Sequence, residues 1–179
     1  FENLKLIEII NNNKMFSILD VGCASGYLLR FLIHRINNFN KKNYCGCDLS
    51  KKSIKYAKET YGDSLFQIID NNSIIFKEQN KSFDIVYSRD TVMHQLEPYK
   101  FIDDLIDISN NFLILRLRTR DVGNTVLDAN ISCQMHYDRF WMPYIVLNFS
   151  ELKDHLLRNK FVFSADINKS YRILGGKNN

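Results

Sequence analysis

Three acidic side chains, Asp20, Asp48 and Asp70, each follow a short apolar segment of this 179-residue chain. Carboxylates accept hydrogen bonds from hydroxyl and amino groups and favour nearby cations. Between the first acid and a helix-like segment lies a glycine-punctuated turn, Gly22–Gly26. Glycine lets the backbone of such a turn approach a ligand closely. Together the acids and the turn indicate a site for a nucleotide-like cofactor.

Apolar segments that alternate with helical patterns position these residues. Their order predicts an α/β fold with an open, doubly wound and mostly parallel sheet of seven strands, with helices on both faces. The last two strands are expected to form an antiparallel hairpin. The predicted strands are Phe16–Val21, Asn43–Cys47, Leu65–Ile69, Phe83–Tyr87, Phe112–Leu117, Phe161–Ile167 and Ser170–Leu174, and the predicted helices are 2–13, 25–37, 51–60, 97–110 and 150–159.

The length of the chain fits one domain, so we expect residues 1–179 to form a single unit with one core. Residues 119–148 interrupt the alternation of strands and helices and are rich in aromatic side chains. We interpret this segment as an insertion between the fifth strand and its helix. It could close over a small organic ligand as a lid, or its aromatic residues could serve only to pack the segment against the rest of the protein.

The composition is that of a globular protein, with 45% hydrophobic and 25% charged residues and a formal net charge of +4. No apolar run reaches the length of about 20 residues that a membrane-spanning helix needs, and we expect a cytoplasmic protein. The mild charge does not indicate nucleic-acid binding. The cysteines Cys23, Cys45, Cys47 and Cys133 lack the spacing of a metal site, so we expect thiols and no metal.

The glycine spacing of the turn separates two classes of cofactor. Nicotinamide and flavin folds favour G-x-G-x-x-G, in which the middle glycine lets a pyrophosphate approach. Here Gly22 and Gly26 are present, but Ala24 replaces that middle glycine. An alanine with positive φ would cost about 1 kcal/mol. An acid after the second strand, such as Asp48, occurs in both classes and does not discriminate between them.

Four segments carry a resemblance to a known family, and with the fifth strand and the terminal hairpin they cover nearly the whole chain. They are Leu19–Tyr27, Tyr44–Ser50, Asp70 and Phe83–Asp90. In order and spacing the chain resembles the class I S-adenosylmethionine-dependent methyltransferases. The resemblance implies a Rossmann-like fold and S-adenosylmethionine (SAM) as cofactor. Ala24 departs from the family pattern.

The resemblance also implies cofactor contacts. Asp20 would act on the ammonium group through water, and the turn would hold the carboxylate end. Asp48 would bind both ribose hydroxyls, Asp70 the adenine amino group, and Asn71 would supply a backbone N–H. The expected cofactor-binding set is Asp20, Gly22, Cys23, Ala24, Gly26, Asp48, Leu49, Asp70, Asn71 and Ser88.

By the same resemblance, the acceptor pocket opens after the fourth strand. His94 is the candidate catalytic base because its ordinary pKa lies near neutrality, although it could instead cap or pack under the next helix. Asp90 could contact the substrate or cap the following turn. Arg116 could bind an anionic substrate group or lie at a solvated edge. The other candidate substrate residues are Arg89, His136, Tyr137, Trp141 and Tyr144.

The sequence therefore predicts a methyltransferase that acts on an oxygen or nitrogen nucleophile of a small molecule or a glycan. Two alternatives stay open. One is a relative that keeps the fold for SAM binding or as a scaffold without catalysis. The other is an RNA or protein methyltransferase, which strong and salt-dependent RNA binding would support.

Overall fold

A computed structural model of the chain describes residues 2–12, 16–69, 82–135 and 139–168. The chain groups into two compact units. The first, here called the sheet unit, comprises Phe1–Arg89 and Asp107–Arg116, and the second comprises Asp90–Ile106 and Leu117–Asn179. The expectation of one domain over 1–179 stays a prediction. No helix within the described residues is long and apolar enough to cross a membrane.

The sheet unit contains a parallel sheet, as the sequence predicts. Among the described residues it has five strands in the order β3-β2-β1-β4-β5. Strand order therefore reverses between β1 and β4, and such a reversal is where open α/β sheets bind ligands. The strands are β1 (Ile18–Val21), β2 (Tyr44–Asp48), β3 (Phe66–Ile68), β4 (Phe83–Arg89) and β5 (Ser109–Arg116).

Three helices of the sheet unit are amphipathic, and their apolar residues form a core with one face of the sheet. They are α1 (Glu2–Asn12), α2 (Tyr27–Arg35) and α3 (Lys51–Tyr61). Ser50 caps α3 by accepting a hydrogen bond from the Ser53 N–H at 3.2 Å, which confirms the predicted start of this helix. The fully buried members of the core include Leu6, Ile18, Leu29, Leu32, Ile54, Phe66 and Ile85.

The described part of the second unit includes the helices α4 (Pro98–Asp107, whose last residue belongs to the sheet unit) and α5 (Phe149–Arg158). Asn148 caps α5 by accepting a hydrogen bond from the Glu151 N–H at 3.1 Å. The segment 119–148 is not wholly irregular, because it contains the short strands β6 (Thr119–Arg120), β7 (Cys133–Met135), β8 (Trp141–Pro143) and β9 (Leu147–Asn148). Its role as a lid stays a prediction.

The carboxyl-terminal hairpin is the part of the predicted fold that differs. Residues 161–168 contain no strand, so the prediction over Phe161–Ile167 is wrong within the described residues. A strand needs a hydrogen-bonded neighbour and a packed face, and the Phe163 side chain is instead 98% exposed. The predicted partner, Ser170–Leu174, lies outside the described residues. The described sheet therefore does not reach seven strands.

Gly46, in the middle of β2, generates a prediction about packing. A Cβ at this position would lie 2.9 Å from Cys23 Sγ and 2.9 Å from the Phe66 ring. Both neighbours are buried, so Gly46→Ala requires both side chains to shift. We expect the free energy of unfolding to fall by about 2 kcal/mol, measured by denaturant titration. Cys45→Ala, one residue earlier on the opposite face, is the control, and an equal loss in both variants would contradict the packing argument.

Candidate functional site

The turn Gly22–Gly26 joins β1 to α2 and is held against the end of β2. The Gly22 and Cys23 N–H groups donate to the Cys47 carbonyl at 2.8 and 3.0 Å, and the Gly26 N–H donates to the Cys23 carbonyl at 2.9 Å. The backbone has positive φ at Gly22 (80°), Ala24 (47°) and Gly26 (84°). Ala24 thus adopts the left-handed conformation that the sequence analysis considered, in which an L side chain is strained.

Asp48 connects this turn to the beginning of α3. Its Oδ2 accepts a hydrogen bond from the Ala24 N–H at 2.9 Å, and its Oδ1 accepts one from the Ser50 N–H at 2.8 Å. An ionised carboxylate has about four acceptor positions. Asp48 therefore fixes both loops and still has capacity for two further donors, such as neighbouring hydroxyl groups of a sugar.

Asp20 lies beneath the turn and is almost wholly buried, with 3% of its surface exposed. Its Oδ2 accepts a hydrogen bond from the Tyr44 hydroxyl at 2.7 Å. Burial raises the pKa of Asp20 to about 7; the Tyr44 hydrogen bond opposes this rise and the charge of Asp48 adds to it. A cation that reached Asp20 would stabilise its ionised form.

Ser88 ends the buried part of β4, in register with Val21 of β1. Its side chain is 1% exposed, and its Oγ has no hydrogen-bond partner among the described residues. A buried hydroxyl without a partner is uncommon in folded proteins and costs about 1–3 kcal/mol. Among the described residues, Ser88 is therefore a position at which a bound ligand would satisfy an unpaired polar atom.

The other predicted cofactor and substrate residues have different environments. The Cys23 thiol is buried, and burial raises its pKa further above the ordinary range, so Cys23 packs rather than reacts. Leu49 is 45% exposed beside Asp48. Asp70, Asn71, His136 and Tyr137 lie outside the described residues.

Two predicted residues, His94 and Tyr144, meet within the second unit. The His94 Nδ1–H donates to the Pro143 carbonyl at 2.9 Å, and the His94 and Tyr144 ring centroids lie 5.8 Å apart. This hydrogen bond fixes the neutral tautomer with Nε2 as the acceptor. Asp90 has a positive φ of 55°, and Trp141 is 65% exposed on β8. The catalytic and substrate roles of these residues stay predictions.

Tyr44 is a further functional candidate, because its hydroxyl is the hydrogen-bond partner of the buried Asp20 carboxylate. Its alternation with Gly46 and Asp48 along β2 places these three residues on one face. The register of β2 against β1 sets Gly46 beside Asp20, on the same face. The alternation along β2 can be seen in the sequence. The register of β2 against β1, which brings the Tyr44 hydroxyl to Asp20, cannot.

Ala24 generates a prediction about stability. Ala24→Gly removes a Cβ from a residue with positive φ, so we expect the free energy of unfolding to rise by about 1 kcal/mol. Ser25→Gly is the control, because Ser25 does not have positive φ and the added glycine should only destabilise the protein. Denaturant unfolding measures both variants, and shifts of the same sign would contradict the assignment of strain to Ala24.

Asp20 generates a prediction about pH. Between the ordinary value of 3.8 and about 7, the folded protein holds a proton on Asp20 that the unfolded chain has released. Stability from this group is therefore lost as pH rises through that window. Asp20→Asn keeps an acceptor for Tyr44 and does not titrate. Relative to the wild type, its free energy of unfolding should rise by on the order of 4 kcal/mol across the window.

Unfolding titrations at several pH values measure this difference. The matched control is Asp63→Asn, which makes the same substitution at a carboxylate whose side chain is 87% exposed. A constant difference between Asp20→Asn and the wild type would show that Asp20 has an ordinary pKa.

Comparisons with known proteins agree with this geometry. The methyltransferase domain family matches residues 19–110, which include most of β1, the turn and Asp48. Juvenile hormone acid O-methyltransferase from Bombyx mori is 29% identical over 140 residues, covering 71% of this chain and 49% of that protein. The chain spans about half the length of the curated relatives it matches.

Two solved structures show the same fold. The N-terminal domain of EvdMO1 with SAH (S-adenosylhomocysteine) bound has a TM-score of 0.60 at 15% identity, with 88% of this chain and 70% of that chain covered. The YcgJ protein from Bacillus subtilis has a TM-score of 0.60 at 16% identity, with 87% and 66% covered. The sheet order, the turn with its acids and the family match agree: the chain belongs to the methyltransferase domain family of SAM-dependent, class I enzymes.

Proposed function

We propose that this protein transfers a methyl group from SAM to an oxygen or nitrogen nucleophile of a small molecule or a glycan. The observation that carries the proposal is the Asp48 carboxylate, which joins the turn to the start of α3 and keeps acceptor capacity for a ribose. The name of the Bombyx mori relative supports an oxygen nucleophile on a small molecule. The chain spans about half the length of that relative. The activity of this protein is for that reason a proposal.

The residues present fit SAM. This cofactor has two ribose hydroxyls and a cationic ammonium group, and when bound it supplies an electrophilic methyl group on a sulfonium. Asp48 would accept from the hydroxyls, and the buried Asp20 would compensate the positive end, directly or through water. The unpaired Ser88 Oγ would gain a partner. Asp70 and Asn71 remain the proposed adenine contacts.

The turn would help to bind SAM through its backbone shape, because most of its N–H groups are already used within the chain. The N–H groups of Gly22, Cys23, Ala24 and Gly26 all donate within the chain. The close approach that the turn allows, and not these donors, is therefore its proposed contribution to holding the carboxylate end of SAM.

His94 is the proposed base for an acceptor that arrives protonated. Its Nδ1–H is committed to the Pro143 carbonyl, which leaves Nε2 as the proton acceptor in the neutral ring. Asp90 and the aromatic residues Trp141 and Tyr144 remain the proposed contacts of the acceptor, together with His136 and Tyr137. A carboxylate acceptor would not need a base, since it is already ionised at neutral pH.

Isothermal titration with SAH tests the cofactor site. We expect the wild type to bind SAH, and Asp48→Ala to weaken binding about 100-fold because charge-assisted hydrogen bonds to the ribose are lost. Asp63→Ala is the control for removing an acid and should bind like the wild type. Circular dichroism establishes that each variant is folded, because Asp48 also supports the turn.

Unchanged affinity in folded Asp48→Ala would contradict the site assignment. Binding of SAH without transfer of labelled methyl to any component of an extract would instead support the non-catalytic alternative.

A further inference from the structure

The amino-terminal helix α1 contacts the carboxyl ends of β4 and β5 through two polar side chains. Asn3 Oδ1 accepts a hydrogen bond from the Tyr87 hydroxyl at 2.9 Å. Glu2 Oε1 lies 3.4 Å from Arg116 Nη1 and 3.9 Å from Arg89 Nε. Both guanidinium groups therefore converge on one carboxylate oxygen.

The arginines are neighbours because of the sheet register, which pairs Arg89 of β4 with Arg116 of β5. Directly opposed side chains on adjacent strands project to the same face, and like charges in this position are destabilising without an anion between them. The two arginines therefore favour an anion between them. Glu2 meets that requirement from α1, which is remote in sequence from Arg116.

The arginine pair borders the proposed cofactor turn. Ser88, which precedes Arg89, is in register with Val21, the residue before Gly22. The Arg89 guanidinium also lies 5.9 Å from the ring centroid of Tyr27, the first residue of α2 after the turn. An acceptor that reaches the end of β4 would therefore meet the arginines and the turn together.

The contacts of the Glu2 Oε1 atom with the two arginines are long for ion pairs. Charge-assisted N–H···O bonds are about 2.7–2.9 Å long, and arginine binds carboxylates most strongly with two parallel bonds. The Glu2 Oε1 atom lies 3.4 Å from Arg116 Nη1 and 3.9 Å from Arg89 Nε. The arginine side chains are 36% and 44% exposed, so a ligand from solvent can reach them.

We propose that Arg89 and Arg116 form a subsite for a carboxylate group of the methyl acceptor, and that Glu2 occupies this subsite as a displaceable counter-ion when no acceptor is bound. The proposal rests on the proposed function and narrows the acceptor to a carboxylic acid. It also gives α1 a part in the site, because the acceptor must displace a side chain of this helix.

Titration of the SAH-loaded protein with benzoate tests the subsite independently of the true acceptor. Glu2→Gln removes the internal competitor and leaves both arginines, so we expect benzoate to bind about tenfold more tightly than in the wild type. Arg116→Gln should abolish this gain in the Glu2→Gln background. Benzamide, which has nearly the same shape without the charge, should bind neither protein.

The matched control is Glu8→Gln, which makes the same change of charge on α1 at a glutamate that pairs with Lys5. Its benzoate affinity should equal that of the wild type. Equal affinities for benzoate in Glu2→Gln and the wild type, or no benzoate binding in either, would overturn the proposal. Tighter binding of phenyl phosphate than of benzoate by Glu2→Gln would overturn the assignment to a carboxylate.

The affinity for SAH is measured first and separately. If SAH fails to bind, the proposed function fails. If SAH binds normally while benzoate does not respond to Glu2→Gln, only the subsite fails.

Discussion

The two hydrogen bonds of the Asp48 carboxylate are the interaction on which the rest of the site depends. One reaches the turn after β1 at Ala24, and the other reaches the start of α3 at Ser50. The preceding residue, Cys47, accepts two further N–H groups of the same turn through its carbonyl. The end of β2 therefore sets the shape of the loop that approaches the ligand, and one side chain couples helix initiation to the geometry of the site.

The same region contains buried polar groups whose loss of hydration is only partly offset by contacts within the protein. Asp20 is buried and accepts a hydrogen bond from the Tyr44 hydroxyl, and its pKa is raised to about 7. The Ser88 Oγ is buried and unpaired among the described residues. Ala24 adds backbone strain. Each feature costs folding free energy, and a ligand with a cation and hydroxyl groups would offset the first two. Such local costs are common where a site is arranged in advance for a ligand.

The elements that rest on local patterns were predictable from the sequence. The five described strands follow from short apolar runs, and the cap of α3 follows from Ser50 before an amphipathic stretch. The strand over Phe161–Ile167 was predicted wrongly, because apolar and β-branched composition reports a tendency and not the presence of a partner strand.

The contacts of the site depend on register and could not be derived from spacing alone. Tyr44 reaches Asp20, and Glu2 reaches Arg116, across segments that are far apart in sequence. Sequence reasoning placed Asp20 and Asp48 correctly at strand ends. It could not show that burial of Asp20 would bring its pKa near neutrality, because that shift depends on packing from several elements at once.

A crystal structure of the protein with SAH shows whether Asp48 binds the ribose. We expect both ribose hydroxyls to donate to the Asp48 carboxylate while its bonds to Ala24 and Ser50 persist, and the Ser88 Oγ to gain a hydrogen-bond partner. SAH bound away from the turn, or bound there without contact to Asp48, would contradict the role proposed for this carboxylate.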